Sequence, residues 1–225
     1  MSREAYQRML DGLHRSVVDL GRRVQDQLEQ GLDSLVRHDC ALAGRLHAAD
    51  DLVDDETQRI EQACVDLISL QQPVAGDTRL ITASFKIVTD LERIADLAVN
   101  LGDYCCTAET LDLVPPETID AVGKLGLEML EAAMNAYAVK DPAAAEEVIR
   151  RDQDLDDLTW DTIRGFLKQL YLTEQQSHGE EEAERISSQA LPILLSMRDL
   201  ERVGDHAANV AGRVIYLATG SSEHL

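Results

Sequence analysis

Aromatic residues, prolines, cysteines and lysines are all scarce in this sequence. Aromatic residues make up 4% of the 225 positions, which suits helix bundles packed with Leu, Ile, Val and Ala better than a β-sandwich, where aromatic side chains are enriched. Of only five prolines, three fall where the apolar pattern is interrupted, at Pro73, Pro115 and Pro116. These three therefore indicate connections between elements.

The four cysteines are Cys40, Cys64, Cys105 and Cys106, and they form no C-x-x-C pair and no regular framework. We therefore expect neither a disulfide scaffold nor a zinc ribbon. We interpret all four thiols as buried or partly buried packing residues.

The sequence contains no run of 18 apolar residues, so we expect no membrane insertion. The first ten residues, MSREAYQRML, are charged and lack the apolar core of a signal peptide. Both observations favour a cytoplasmic protein.

Acidic residues outnumber basic ones by 42 to 21, which gives a formal net charge of −21. An acidic body repels the phosphates of nucleic acids, so we expect no direct binding of DNA or RNA. The chain has only four lysines. A lysine-poor, acid-rich surface is typical of a halophilic cytoplasm, because salt screens the self-repulsion.

Known catalytic motifs are missing. The sequence has no G-x-G-x-x-G, no P-loop and no G-x-S-x-G. A ferritin-like di-iron site requires Glu-x-x-His on two helices, and none of the six histidines follows a glutamate at that spacing. We therefore predict a protein that is not an enzyme.

Apolar residues recur at alternating steps of three and four almost throughout, which is typical of α-helices with one apolar face. Three such stretches precede the segment LDLVPPET at 111–118, whose prolines and Thr118 predict a connection followed by a helix cap. Asp141 is a predicted N-cap, and Pro192 is predicted to kink its helix or delay its start. Three further helices are predicted at about 117–139, 142–172 and 181–218.

The second half of the chain repeats the first. Asp50 recurs as Asp152, 102 positions later. The heptapeptide DLERIAD at 90–96 recurs as DLERVGD at 199–205, and the match extends to seven identities in eleven. We interpret this repeat as the duplication of a three-helix unit.

Short connections make neighbouring helices run in opposite directions. The sequence therefore predicts an all-α protein built from two tandem antiparallel three-helix bundles. The predicted domains are residues 1–110 and 111–225.

Each half carries two pairs of acids spaced four residues apart, which places the members of a pair one helical turn from each other. Glu92 fills a gap in an apolar stripe of the third helix, and Asp50 lies on the apolar seam of the second. Carboxylates against apolar neighbours cost free energy unless they are paired or hold a metal ion. If the second and third helices of each half pack together, four carboxylates converge in each: Asp50, Asp54, Glu92 and Asp96, and then Asp152, Asp156, Glu201 and Asp205.

Oxygen-rich sites of this kind suit hard or borderline cations, so we predict a metal site in each half. The alternative is a solvated acidic groove. Arg93 and Arg202 are expected to point away from the preceding glutamates. His206 is interpreted as a surface or packing residue, and Asn100 and Asn209 as hydrogen-bond donors to a neighbouring helix.

These residues resemble the PhoU family of phosphate-uptake regulators, whose members are similar in having two three-helix units with a D/E-L-E-R-I-G-D motif on each third helix. DLERIAD and DLERVGDHAANV match that motif, and QQPVAGDTRLI at 71–81 resembles the segment that enters the helix. Ala95 stands where the family usually has Gly, so tighter packing is expected there. The second half has no counterpart of QQPVAGD.

The resemblance implies that the eight acids bind metal clusters, with iron or zinc as the metal and magnesium or manganese as alternatives. It also implies a cytoplasmic homodimer that negatively regulates phosphate uptake and the phosphate-starvation response. The implied partners are the ATPase subunit of a phosphate transporter and a sensor kinase or transcriptional regulator. The alternatives are a carboxylate-bridged redox or metal-storage bundle, and a helical scaffold with an acidic groove.

Overall fold

The computed structural model describes residues 2–70, 73–107, 114–176 and 180–223. Every regular element in these ranges is an α-helix, which confirms the predicted all-α class. The predicted boundary between residues 110 and 111 lies outside the described residues, as do residues 71–72 of the QQPVAGD segment. The helices are α1 (Arg3–Arg37), α2 (Cys40–Ala43), α3 (Leu46–Leu70), α4 (Ala75–Thr107), α5 (Pro116–Val139), α6 (Pro142–Gln176) and α7 (Glu180–Thr219).

The corner after the first helix of each half is built in the same way. α1 is followed by His38 and α5 by Lys140, and both residues have a left-handed backbone, with φ of 53° and 57°. An aspartate comes next in each case. Asp39 Oδ1 accepts hydrogen bonds from two backbone N–H groups at the start of α2, and Asp141 Oδ1 does the same at the start of α6. The N-cap predicted at Asp141 is confirmed.

Three local features differ from the prediction. The first corner leads into the four-residue helix α2 before α3 begins, whereas the second leads directly into α6. α5 begins at Pro116 with Pro115 as its N-cap and no side-chain hydrogen bond, so the cap predicted at Thr118 is wrong. Proline suits the first helical position because the N–H that it lacks has no partner there. α7 runs through Pro192, so of the two effects predicted for this proline the delayed start is wrong, and the kink stays a prediction.

Each half is a three-helix bundle, with α1, α3 and α4 packed together in the first and α5, α6 and α7 in the second. Two contacts give the relative direction of α3 and α4. Cys64 Sγ lies 3.8 Å from the Ile81 carbonyl oxygen, and His47 Nε2 lies 3.1 Å from Asp103 Oδ1. The helices therefore run antiparallel, as predicted. The buried apolar side chains of both halves form one continuous core.

The halves meet through α1 against α5 and through α4 against α7. Two glycines admit large side chains where α1 meets α5: a Cβ at Gly21 would overlap with Met134, and one at Gly123 would overlap with Leu32. The two glycines are 102 positions apart, and so are the two large residues. The contact therefore repeats itself about an approximate twofold axis, with each half inserting one side chain into the other.

Where α4 meets α7, one aspartate of each half contacts the last helix of the other half. His206 Nδ1 lies 2.9 Å from Asp90 Oδ1, and Asn209 donates to the same oxygen at 3.5 Å. In the matching contact, Asn100 donates to Asp199 at 3.1 Å. The two aspartates are 109 positions apart, as are the two asparagines, so this interface has the same twofold character. The prediction that both asparagines hydrogen-bond a neighbouring helix is confirmed.

Asp199 is fully buried in this interface. Its carboxylate accepts two hydrogen bonds from Arg198, at 2.9 and 2.7 Å, and one from Tyr104 Oη at 2.8 Å. Burial and the nearby Asp199 carboxylate raise the pKa of Tyr104 to about 12, so its hydroxyl remains a donor. A buried carboxylate costs several kcal/mol unless charge and hydrogen bonds compensate it, and these contacts supply both.

Gly31 lets α1 approach α4, because an added Cβ would lie 2.6 Å from the backbone oxygen of Ala98. Gly31→Ala should push the helices apart and lower the free energy of unfolding by about 1–3 kcal/mol. Gly12→Ala is the control: it lies in the same helix with nothing within 4 Å of the added methyl group. That change should raise the free energy of unfolding by about 0.5–1 kcal/mol through helix propensity. Equal effects of both substitutions in denaturant titrations would contradict the close approach.

Candidate metal centres

The four acids predicted in the first half come together where α3 packs against α4, and we call them the first acidic quartet. Asp50 and Asp54 lie one turn apart on α3, and Glu92 and Asp96 lie one turn apart on α4. Asp54 is exposed and the other three are half-buried. Burial raises the pKa of Glu92, and the charges of the other three acids raise it further.

The second acidic quartet has the same construction on α6 and α7. Asp152 and Asp156 face Glu201 and Asp205, of which Asp205 is exposed and the others are half-buried. Burial, together with the charges of Asp205 and Asp156, raises the pKa of Asp152 to about 6. Burial and the three neighbouring carboxylates also raise the pKa of Glu201. All eight predicted acids thus lie in two clusters, one in each half.

Both quartets are open. Within the described ranges, neither of them brings three carboxylate oxygen atoms within 4.8 Å of one another. They are therefore acidic clefts along the helix seams and not preformed coordination shells. Rotation about the side-chain torsions would be needed to bring the carboxylates onto one cation.

Arg93 contradicts the prediction that it points away from the acids. Its Nε lies 3.4 Å from Glu92 Oε2, and its Nη1 lies 3.3 Å from Asp96 Oδ2. The prediction used only the 100° rotation between adjacent residues of a helix. The long Arg93 side chain folds back along the helix and reaches both acids. About half of the Arg93 side chain is exposed, at 53%, so these ion pairs stabilise weakly. Arg202 instead lies nearest Asp199, at 3.7 Å.

Gln27 distinguishes the first quartet from the second. It is buried on α1, and its Nε2 donates to Asp50 Oδ1 at 3.0 Å and to the Ala95 carbonyl at 3.3 Å. Burial raises the pKa of Asp50, and this hydrogen bond lowers it in part. The matching residue of α5 is Met129, whose thioether has no N–H to donate to Asp152. The two quartets are therefore electrostatically different.

Beside the quartets, two matched positions differ in side-chain size between the halves, and the two differences offset each other. In the second half a Cβ at Gly204 would overlap with Leu155 and would lie 3.3 Å from Asp152 Oδ1. The matching residues of the first half are Ala95 and Val53, both buried. Gly is combined with the larger Leu, and Ala with the smaller Val. The tighter packing expected at Ala95 is therefore offset by a smaller neighbour.

Two features were missed from the sequence. One is the role of the first aspartate of each heptapeptide, although its repetition together with an asparagine ten residues later was a visible signal. The other concerns the thiols: Cys64 and Cys105 are buried as predicted, but Cys40 and Cys106 are exposed. Cys40, Cys105 and Cys106 lie together, and no motif in the sequence indicates this.

Among the described helices, none has the stretch of apolar residues that crossing a bilayer would require.

The fold and these sites define an all-α protein of two tandem three-helix repeats with an acidic quartet in each. A model of the PhoU domain matches the chain twice, at residues 17–105 and 119–214. The chain belongs to the PhoU family, as its repeated heptapeptides indicated.

Relatives and solved structures agree with this assignment. The chain is 31% identical over 229 residues to the phosphate-specific transport system accessory protein PhoU homolog of Clostridium acetobutylicum, covering 100% of this chain and 99% of that protein. It is 27% identical to the protein with the same description from Rhizobium meliloti, covering 96% and 88%. The crystal structure of PhoU from Pseudomonas aeruginosa is 27% identical, with a TM-score of 0.83 and coverage of 96% and 100%.

The pKa of Asp152 predicts how pH affects the metal-free protein. A folded-state pKa of about 6 exceeds the usual value of about 3.9 in an unfolded chain, so the folded protein binds more protons between these values. Ionised Asp152 therefore destabilises the fold above pH 6, and the penalty disappears as pH falls below 4. After allowance for solvent screening, Asp152→Asn should raise the free energy of unfolding by about 1 kcal/mol at pH 8 and leave it unchanged near pH 3.5.

Denaturant titrations in chelator at the two pH values measure this difference. Asp154→Asn, at an exposed position on the same helix, is the control and should change the free energy of unfolding by less than about 0.5 kcal/mol at both. A pH-independent effect of Asp152→Asn would contradict the prediction.

Proposed function

We propose that this chain is a metal-binding cytoplasmic regulator of phosphate uptake and phosphate homeostasis, acting by protein–protein contact. Membership of the PhoU family carries the proposal. Relatives matched over nearly their whole length are named as accessory proteins of a phosphate-specific transport system. In this proposal the chain is a homodimeric, non-enzymatic negative regulator. Its partners are the ATPase subunit of the transporter and a sensor kinase or transcriptional regulator.

The two acidic quartets support the metal-binding part of the proposal. Each holds four carboxylates in a partly buried seam, where burial and mutual repulsion raise the pKa of Glu92 and Asp152. A bound cation would neutralise this repulsion, and carboxylate bridging lets such a site hold more than one ion. We propose iron or zinc, with magnesium or manganese as alternatives.

An exposed apolar stripe on α6 supports the proposed protein contact. Trp160, Leu167 and Tyr171 are 61%, 47% and 58% exposed. Their spacing of seven and four residues places them on one face of the helix. Exposed aromatic and aliphatic side chains in a row are typical of protein-binding surfaces. This stripe is the surface that we propose for contact with the transporter.

Glu201→Gln should have opposite effects on stability without and with metal. In chelator it removes one of four mutually repelling charges, so the melting temperature should rise. With saturating iron or zinc it removes a ligand and reduces the stabilisation by bound metal, which is about 2.7 kcal/mol at 100 times the Kd, so the melting temperature should fall. Glu92→Gln should be near neutral in chelator because it also removes one of the two ion-pair partners of Arg93.

Glu146→Gln, at an exposed position on α6, is the matched control and should show no reversal. Thermal melts with chelator and with each metal measure all three variants. The same sign for Glu201→Gln in every condition would exclude a metal site there. Oxygen-dependent turnover of bound ferrous iron would instead support a redox or storage protein.

Loss of the gene should raise phosphate uptake or transporter expression in phosphate-rich medium, because a negative regulator is removed. Re-expression of the unchanged protein should restore repression. The double variant Trp160→Ser/Leu167→Ser should fail to restore it while keeping its melting temperature, because both side chains are exposed. Uptake and expression that do not change on deletion, in both rich and poor phosphate, would contradict the proposed function.

A further inference from the structure

Three thiols and an imidazole lie together where the first corner meets the end of α4. Cys40 begins α2, and Cys105 and Cys106 lie in the last turn of α4. The three Sγ atoms lie within 4.8 Å of one another. Cys105 Sγ lies 3.9 Å from Cys40 Sγ and 3.9 Å from His38 Nδ1. Two segments more than 60 residues apart thus bring three thiols into one group, and His38 lies beside it, against Cys105.

The two separations measured from Cys105 Sγ are close to those of a tetrahedral zinc site. With Zn–S bonds of about 2.3 Å and Zn–N bonds of about 2.0–2.1 Å, two sulfur ligands lie about 3.8 Å apart, and a sulfur and a nitrogen about 3.6 Å. The separations around Cys105 are 3.9 Å in both cases. A disulfide would require about 2.05 Å between the sulfur atoms, so Cys40 and Cys105 are free thiols, and their separation suits two ligands that share an ion.

Packing accounts for at most one of these three thiols. The residues of the second half that match Cys105 and Cys106 are Val214 and Ile215, and both are buried. Cys105 is buried as well, but Cys106 and Cys40 are exposed. An exposed thiol contributes little to a hydrophobic core, and the duplicated unit folds without thiols at these positions. The cluster is therefore an addition to the first half and not a requirement of the fold.

We propose that Cys40, Cys105 and Cys106 bind one zinc ion as thiolates. His38 Nδ1 lies 3.9 Å from Cys105 Sγ but outside the 4.8 Å group of the three sulfur atoms, and in this proposal the imidazole turns toward the ion as the fourth ligand. Thiolate and imidazole ligands favour zinc, whereas the all-oxygen quartets suit harder cations. The exposed Cys40 and Cys106 give the ion a route to the buried Cys105. Each of the three thiols releases its proton to solvent when the metal binds, because the thiolate is the ligand. The bound ion ties the end of α4 to the first corner.

Cobalt titration of the reduced, chelator-treated full chain tests this site. Cobalt alone should produce a saturable sulfur-to-cobalt charge-transfer band in the near ultraviolet and visible bands of tetrahedral coordination. Excess zinc should then abolish the charge-transfer band. Carboxylate sites contain no sulfur and cannot produce the charge-transfer band, so the acidic quartets do not contribute to this signal.

Three variants locate the ligands. Cys40→Ser/Cys106→Ser should lose the band while keeping the circular dichroism of the unchanged protein, because both side chains are exposed. His38→Gln should keep the band and weaken cobalt binding about tenfold or more. Cys64→Ala removes a buried thiol outside the cluster and should keep both the band and the affinity. Absence of the band in the unchanged protein, or its survival in the double serine variant, would overturn the proposal.

Discussion

The self-complementary contact between the two halves is the constraint on which the rest of the structure depends. Each half inserts a large side chain, Leu32 or Met134, over a glycine of the other, and each sends an aspartate across to the other's last helix. A charge as buried as Asp199 requires its partners at fixed positions. The contact therefore fixes how α4 and α7 lie against each other and, through them, which of their faces remain for the quartets.

The repeated heptapeptide has two roles because a helix advances by about 100° per residue. Its first aspartate, Asp90 or Asp199, points toward the other half. The glutamate two residues later and the aspartate six residues later are rotated by about 200° and 240° from it, toward the neighbouring helix of the same half. The same seven residues thus join the halves on one side and form an acidic cleft on the other. This explains why three acids occur within one short motif.

The helices and the two quartets could be predicted because apolar periodicity and the repeat are local or nearly local signals. The acids lie beside the apolar seam, and that position can be read from spacing alone. The contact of Arg93 with its neighbouring acids could not be predicted from spacing, because it depends on the conformation of a long side chain. The meeting of Cys40 with Cys105 depends on where two distant segments end, and the buried hydrogen bond from Gln27 to Asp50 depends on a third helix. Neither contact has a periodic signature.

The approximate twofold relation between the halves is the geometry of an isologous interface, in which one surface patch meets its own copy. Two separate three-helix units in a homodimer would meet with this same geometry, and a chain that joins two copies end to end contains both partners. Once joined, the copies no longer have to share one sequence. The two halves differ in ways that identical subunits cannot. Gln27 in the first half is matched by Met129 in the second, the Val53–Ala95 pair is matched by Leu155–Gly204, and all the thiols lie in the first half. Fusion thus allowed one symmetrical scaffold to carry chemically distinct sites.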